Sequence, residues 1–175
     1  FSLFEKELLL MKDEGIIEKI GVSLNSNEEI EDVLSCSHIG LIQLPFNLLD
    51  NNNHRKHILI KAKEKGVEIH TRSVFLQGLF FRNTKLLQGN LKCLEAHLKQ
   101  LHKLTTENLK MNDIALNYVI KQPFVDAVLI GVDDASQLKR NLDSVNKYIP
   151  ISILESINSI KVHKKELLNP VNWRS

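Results

Sequence analysis

"HIGLIQLPF", residues 38–46, decides the fold. Apolar residues run through it almost without a break, where a strand with one wet face would alternate. Such a run reads as a strand covered on both faces, the pattern of a parallel sheet. Pro45 marks its end, because proline has no N–H to give to a ladder. Upstream, "IIEKIGVS" (16–23) reads as a shorter strand ending at Ser23. Ser26 and Glu29 then form a capping-box pattern that opens a helix over "EEIEDVLS" (28–35). Downstream, "NNNHRKHILIKAKEKG" (51–66) has a polar start, a Lys-rich last turn and a stopping Gly66, the marks of a helix. "VEIHTRS" (67–73) is the third strand. The chain opens with a helix over 1–15, with Phe1, Phe4, Leu8 and Met11 on one face. Phe1 in place of Met, inside an apparent helix, points to a fragment or a processed chain.

A longer excursion follows over residues 82–110, where Leu91, Leu94, Leu98 and Leu101 give a helical stripe. "DIALNYVIKQ" (113–122) is a second helix that stops before Pro123. "VDAVLIG" (125–131) reads as the fourth strand and "ASQLKRNLDSV" (135–145) as its helix. "ISILESINSIKVHKKELL" (151–168) reads as one last amphipathic helix before the tail. Short apolar strands alternating with amphipathic helices mean repeated βα units, a parallel sheet and right-handed crossovers. Two α/β architectures stay open at this point. One is a doubly wound open sheet; the other is a (β/α)8 TIM-type barrel, which normally takes about 250 residues. Four parallel strands with flanking helices make about half of such a barrel. No GxGxxG follows any strand, which weakens the dinucleotide-binding form of the first.

A chain of 175 residues with 43% hydrophobic content fits a single domain over 1–175. A net charge of +2 gives no reason to expect a nucleic acid or an anionic membrane as partner. Cys36 and Cys93 read as reduced, buried thiols of a cytoplasmic protein. No signal-peptide pattern is visible, and no apolar run approaches the ~20 residues that cross a bilayer. His54 and His57 are three apart and His97 and His102 five apart, with no acidic or Cys set beside them. They read as solvated surface groups and not as metal ligands. Tyr118 and Tyr148 fall on helices and read as packing residues.

In both architectures ligands bind at the carboxyl ends of the parallel strands. That rule selects Ser23 and Asn25, Gln43 and Asn47, Arg72 and Ser73, and the stretch from Gly131 to Gln137. The selected residues are largely polar although the strands before them are apolar, which suits a binding site at one end of a sheet more than a set of caps and turns, the other reading of the same residues. In "LIGVDDASQLKRN" (129–141) a glycine turn precedes a helix start, where backbone N–H groups and the helix dipole favour an anion. Asp133 or Asp134 could instead cap that helix and repel a phosphate, so both readings stand.

The strand ends "IGVS", "IQLPFN" and "TRSVFLQGL", followed by "VDAVLIGVDDASQLKRN", resemble the second half of an aldo-keto reductase, in that family's order and spacing. The resemblance implies half of a (β/α)8 barrel and a parent protein that reduces an aldehyde or ketone to an alcohol with NAD(P)H. It implies that Ser23 and Gln43 hydrogen-bond the nicotinamide carboxamide. Arg72 falls where the family usually stacks an aromatic ring on the nicotinamide. Ser73, Phe75 and Gly78 match the segment along the pyrophosphate. Gly131, Val132 and Asp133 match the turn at the adenosine end, with Gln137 and Asn141 on the following helix. Val132 and Asp133 supply no cation for a 2′-phosphate and Asp133 suits a 2′-hydroxyl, so the balance leans toward NAD over NADP, with Lys139 and Arg140 nearby. No metal is implied.

The family's catalytic Asp, Tyr, Lys and His belong to its first four strands, so the resemblance implies that this chain carries the cofactor-binding half and is inactive alone. A reading of a different class is a non-catalytic nucleotide-binding or regulatory half-barrel, which Arg72 and Asp133 favour slightly, while the register of the four motifs favours the oxidoreductase more. Sequence upstream of Phe1 separates the two. A half-barrel also leaves two bare strand edges, which recruit other chains. The strand faces that would line the barrel are expected to form a large apolar patch, so two copies are expected to associate.

Overall fold

The computed structural model describes residues 4–173. Its elements begin where local chemistry dictates. Ser26 Oγ accepts the Glu29 N–H at 3.1 Å and the Glu29 carboxylate accepts the Ser26 N–H at 3.0 Å, so the expected capping box opens α2 (Asn27–Val33). Asn51 caps α3 (Asn52–Glu64) by accepting the Asn53 N–H at 3.0 Å, and Gly66, at φ +75°, ends it. The helix before them is α1 (Glu5–Asp13). The part of the expected first helix over residues 1–3 lies outside the described residues.

Four strands form one sheet: β1 (Ile20–Ser23), β2 (Ile39–Pro45), β3 (Glu68–Arg72) and β4 (Ala127–Val128). They lie in the order β1-β2-β3-β4 and every pair is parallel. A doubly wound sheet reverses its strand order at a switch point; this one does not, so it is a segment of a singly wound barrel wall. The helices α4 (Glu95–His102), α5 (Met111–Ile120), α6 (Ala135–Ser144) and α7 (Ile151–Asn158) complete the layer.

Among the described residues, the core lies on one side of the sheet. Ile20, Ile42, Leu44 and Ile69 are buried against Ile30, Ile58, Leu59 and the wholly buried Tyr118, whose ring stacks on Phe46 at 5.8 Å. The opposite face, which would line a barrel, carries Ser23, Gln43, Glu68, His70 and Arg72 with Leu41. The expected cover on both faces of β2 is therefore absent here, and the expected apolar patch is a polar surface. Lys19 pairs with Glu68, and Glu68 in turn bonds the His70 ring at 2.8 Å. Gly21 permits β1 to lie against β2, since a Cβ there would meet Leu41 Cδ2 at 2.9 Å.

Several elements are shorter than the sequence predicts. The first strand begins at Ile20 and not at residue 16. β4 has two residues where seven were expected, because β3 bends away at Ser73, with φ +61°, and leaves no ladder beyond the Leu129 N–H bonded to Thr71 O. The expected helix over 151–168 stops at Asn158. The Asn51 amide takes the Ile157 carbonyl at 2.8 Å and the Ile160 carbonyl at 3.2 Å, so those carbonyls do not carry the helix onward. A separate 3-10 turn follows at Lys165–Leu168. In the excursion, the leucine stripe divides between a 3-10 segment at Gly89–Leu94 and α4, and Leu91, Leu94, Leu98 and Leu101 are all buried. Trp173 lies against the start of this excursion: the Arg82 guanidinium lies over its ring, and its indole N–H is donated to Leu167 O at 2.8 Å.

Three side-chain expectations also change. Cys36 is half-buried and Cys93 exposed, both as free thiols. Tyr148 is exposed and faces the Lys121 ammonium instead of packing. His54 is not a solvated group; its ring bonds the buried Asp50 at 2.9 Å, while His102 bonds the Phe80 carbonyl at 2.8 Å.

Candidate functional site

Two groups of polar residues gather at the carboxyl ends of the strands. The first forms around the turn after β3. Ser73, Leu76, Gln77 and Gly78 all have positive φ, a run of left-handed backbone that costs side-chain-bearing residues about 1–2 kcal/mol each. Buried Val74, Leu76, Leu79 and Phe80 hold this turn in place by packing beneath it. Asn47, wholly buried at the end of β2, donates to Ser73 O at 3.2 Å and accepts the Leu49 and Asp50 N–H groups at 3.0 Å. It shapes the turn and has no reach to a ligand.

Across from the turn runs the segment from Leu129 into α6. Between them lies a cavity of about 800 Å3, lined by Ser73, Phe75, Gln77 and Gly78 on one wall and by Ile130, Gly131, Asp133, Gln137, Arg140 and Asn141 on the other. A Cβ at Gly78 would meet open space, so the glycine serves the φ of +74° and leaves the cavity wall flat. Val132, although between two lining residues, is exposed and outside the wall. Asp134 caps α6, accepting the Gln137 N–H at 2.8 Å and the Ser136 hydroxyl at 2.6 Å. Those hydrogen bonds hold its carboxyl below the usual range. The capping reading of this helix start is the one the structure shows for Asp134. Of the two neighbouring cations, Lys139 turns to Asp143 at 3.1 Å, whereas Arg140 lines the cavity and bonds Ser136 Oγ at 3.0 Å. Asp133 lies beside Gln137, its N–H bonded to Gln137 Oε1 at 3.2 Å.

The floor of this cavity is tied to the helix layer. Asn112 lines it and donates to Ser144 Oγ at 2.7 Å, and Ser144 donates to the buried Asp113 at 2.7 Å. Burial pushes the Asp113 carboxyl up, but Ser144, the Lys110 N–H and Lys147 more than offset this and hold it below its ordinary value.

The second group sits on the inner face. Ser23 Oγ lies 3.5 Å from Gln43 Oε1 across neighbouring strands. One level higher, the half-buried Arg72 reaches from β3 to the loop after β1, donating to Asn25 Oδ1 at 2.8 Å, to Leu24 O at 3.4 Å and to Ser73 Oγ at 3.3 Å. Asn25 is itself fixed, its N–H by Glu29 at 2.6 Å and its carbonyl by Arg55 at 2.5 Å. Arg55 is buried and grips Asp50 with two N–H groups at 2.7 Å while bonding Asn27 at 2.8 Å. Burial pushes the Asp50 carboxyl up, yet His54 and Arg55 bind its charged form and hold it below its ordinary value. The sequence reading missed this Asp50–Arg55 pair; its only trace was a charged residue one turn into an otherwise amide-rich helix start.

Tyr118 is no proton donor at this site. It lies in the core layer, accepts the Asn52 N–H at 3.0 Å, donates to Asn158 at 2.7 Å, and burial pushes its hydroxyl up.

The profile of the Aldo/keto reductase family matches residues 6–162. The chain is 24% identical over 166 residues to the uncharacterized oxidoreductase YqkF of Bacillus subtilis, covering 89% of this chain and 53% of that protein. Among solved structures it superposes on aldo-keto reductase AKR11C1 from Bacillus halodurans in its holo form with a TM-score of 0.72 at 22% identity, over 89% of this chain and 55% of that one. A thermostable aldo-keto reductase, Tm1743, in complex with the inhibitor epalrestat, matches with a TM-score of 0.61 at 22% identity, over 87% of this chain and 52% of that one. The chain thus spans about half the length of these relatives. A singly wound parallel wall, a polar site at its strand ends and a family profile over most of its length lead to one conclusion: the chain belongs to the aldo/keto reductase family.

Proposed function

We propose that this chain is the C-terminal, cofactor-binding half of an NAD(P)H-dependent oxidoreductase that reduces an aldehyde or ketone to an alcohol. The observation that carries the reading is the single cavity shared by Ser73, Phe75, Gly78, Gly131, Asp133, Gln137 and Asn141. These residues lie far apart in sequence, and they were selected by strand-end position and family resemblance. In this reading a dinucleotide lies along that cavity, its pyrophosphate beside Ser73 to Gly78 and its adenosine beside Gly131 to Asn141. Its nicotinamide end reaches Ser23 and Gln43 on the inner face, where the hydroxyl and amide suit a carboxamide. Asp133 takes the ribose 2′-hydroxyl, which favours NAD, with Arg140 as the one cation on that wall that could favour NADP. The proton donor for the carbonyl oxygen comes from the other half of the barrel, so the chain alone binds cofactor weakly and reduces nothing. The two free thiols suit a cytoplasmic setting. Two copies pair through the β1 and β4 edges.

Titration of the chain with NADH and NADPH, followed by cofactor fluorescence, tests the reading. Weak saturable binding, abolished by blocking the cavity with Gly131→Trp, is expected. A flat response to both dinucleotides at millimolar concentration would overturn it.

A further inference from the structure

Two arginines near the cavity are hydrogen-bonded only to neutral groups: Arg140 on the α6 wall, through Ser136 Oγ, and Arg72 beside the strand ends. Arg55, on the same face of the loop, is neutralised by the two oxygens of Asp50. Among the described residues Arg72 has neutral acceptors alone: the Asn25 amide oxygen, the Leu24 carbonyl and the Ser73 hydroxyl. Its charge is therefore uncompensated by any group it touches. Its position is also over-determined, because Asn25 is clamped by Glu29 on one side and by Arg55 on the other. The guanidinium is a fixed cation and not a side chain free to swing into solvent.

Its place in the pleat matters as much. Gln43 stands opposite His70, and Arg72 stands one inner-face position further along β3, opposite Pro45. Its neighbour Ser73 lines the cavity. A dinucleotide that lies in the cavity and sends its ring end to Ser23 and Gln43 must pass Arg72 and leave the ring close to the guanidinium. This placement rests on the cofactor reading given above. The reduced ring is a neutral dihydropyridine; the oxidised ring is a pyridinium with a full positive charge. The phosphates are the same in both forms, so the cation treats the two forms differently only at the ring.

We propose that Arg72 makes this site discriminate between the redox states of the nicotinamide cofactor, holding the reduced form and rejecting the oxidised one. Two like charges brought close at a half-buried site repel strongly enough for roughly a tenfold difference in Kd, which corresponds to about 1.4 kcal/mol. An enzyme built on this half would take up reduced cofactor readily and release the oxidised product readily, so it would be biased toward carbonyl reduction.

The test uses the full 175-residue chain and calorimetric or saturation-transfer titration with NADH and NAD+, repeated with the NADP pair. Wild-type chain is expected to bind the reduced form at least tenfold more tightly than the oxidised form. Arg72→Gln, which keeps a donor for Asn25 but removes the charge, is expected to bring the ratio within about threefold, chiefly by tighter binding of the oxidised form. Arg72→Lys, which keeps the charge, is expected to retain most of the ratio. If both forms bind and the wild-type ratio is already within twofold, or if Arg72→Gln leaves it unchanged, the redox role of Arg72 is wrong while the cofactor reading survives. If neither form binds the wild-type chain, the cofactor reading fails and the proposal falls with it.

Discussion

Asp50 and Arg55 show how much of this site rests on two side chains that touch no ligand. A carboxylate and a guanidinium, each almost wholly buried, are tolerated because two short parallel bonds join them and further bonds reach Asn25, Asn27 and His54. Removing one partner leaves the other charged and unpaired in the interior. Arg55→Met is therefore expected to lower the unfolding free energy by about 3–5 kcal/mol, measured by urea titration. The double change Asp50→Asn with Arg55→Met should recover part of that loss. The same pair sets an acid limit. The Asp50 carboxyl sits below its ordinary value of 3.8 in the folded chain, so its stabilisation is present above the unfolded value and is lost as pH falls through the folded one. Melting temperature should fall steeply below about pH 4, and Asp50→Asn should flatten that acid limb. Local chemistry made Ser26 and Glu29 legible from four residues of sequence. The pair of Asp50 and Arg55 was not, because its partners at residues 25 and 27 come from a different βα unit.

At the scale of elements, the turn from Ser73 to Gly78 is the costly one. Four left-handed residues in a row of six are held by the buried side chains around them, by Asn47 on the Ser73 carbonyl, and by the Leu76 and Gly78 N–H groups, which bond Ser73 O and Phe75 O at 2.9 Å. Gly78→Ala adds a Cβ that meets nothing, so steric crowding predicts no effect. The backbone predicts a loss of about 1–2 kcal/mol from φ alone, and equilibrium unfolding would show which is right. Elements with their own start and stop signals, such as α3 with Asn51 and Gly66, were readable. β4 and the helix after Pro150 were misjudged because distant groups end them: Ser73 for the strand, the Asn51 amide for the helix. No periodicity in residues 125–131 or 151–168 carries that information.

For the molecule as a whole, the polar inner face revises what exposure means. The alternation "EIHTR" in β3 already marks one side as polar, with Glu68, His70 and Arg72 on it; the more apolar β2 masked it. A chain with its core on the helix side can fold without filling the barrel. Its open face then gives little reason for indiscriminate collapse, and the pairing proposed above would run through the two strand edges. Light scattering is expected to give twice the 20.0 kDa chain mass, with little binding of an apolar dye. A single-chain mass across micromolar concentrations would exclude the edge pairing.

The chain's one tryptophan has a practical consequence of its own. Trp173 sits where the tail meets Arg82, at the start of the excursion, next to Asn172, which shares a cavity with Asn25 and Pro45 at the strand ends. Its emission is a built-in reporter of that docking, and circular dichroism of the same sample follows the helices. Loss of the first signal before the second during heating would time the release of the excursion within a single chain, with no label attached.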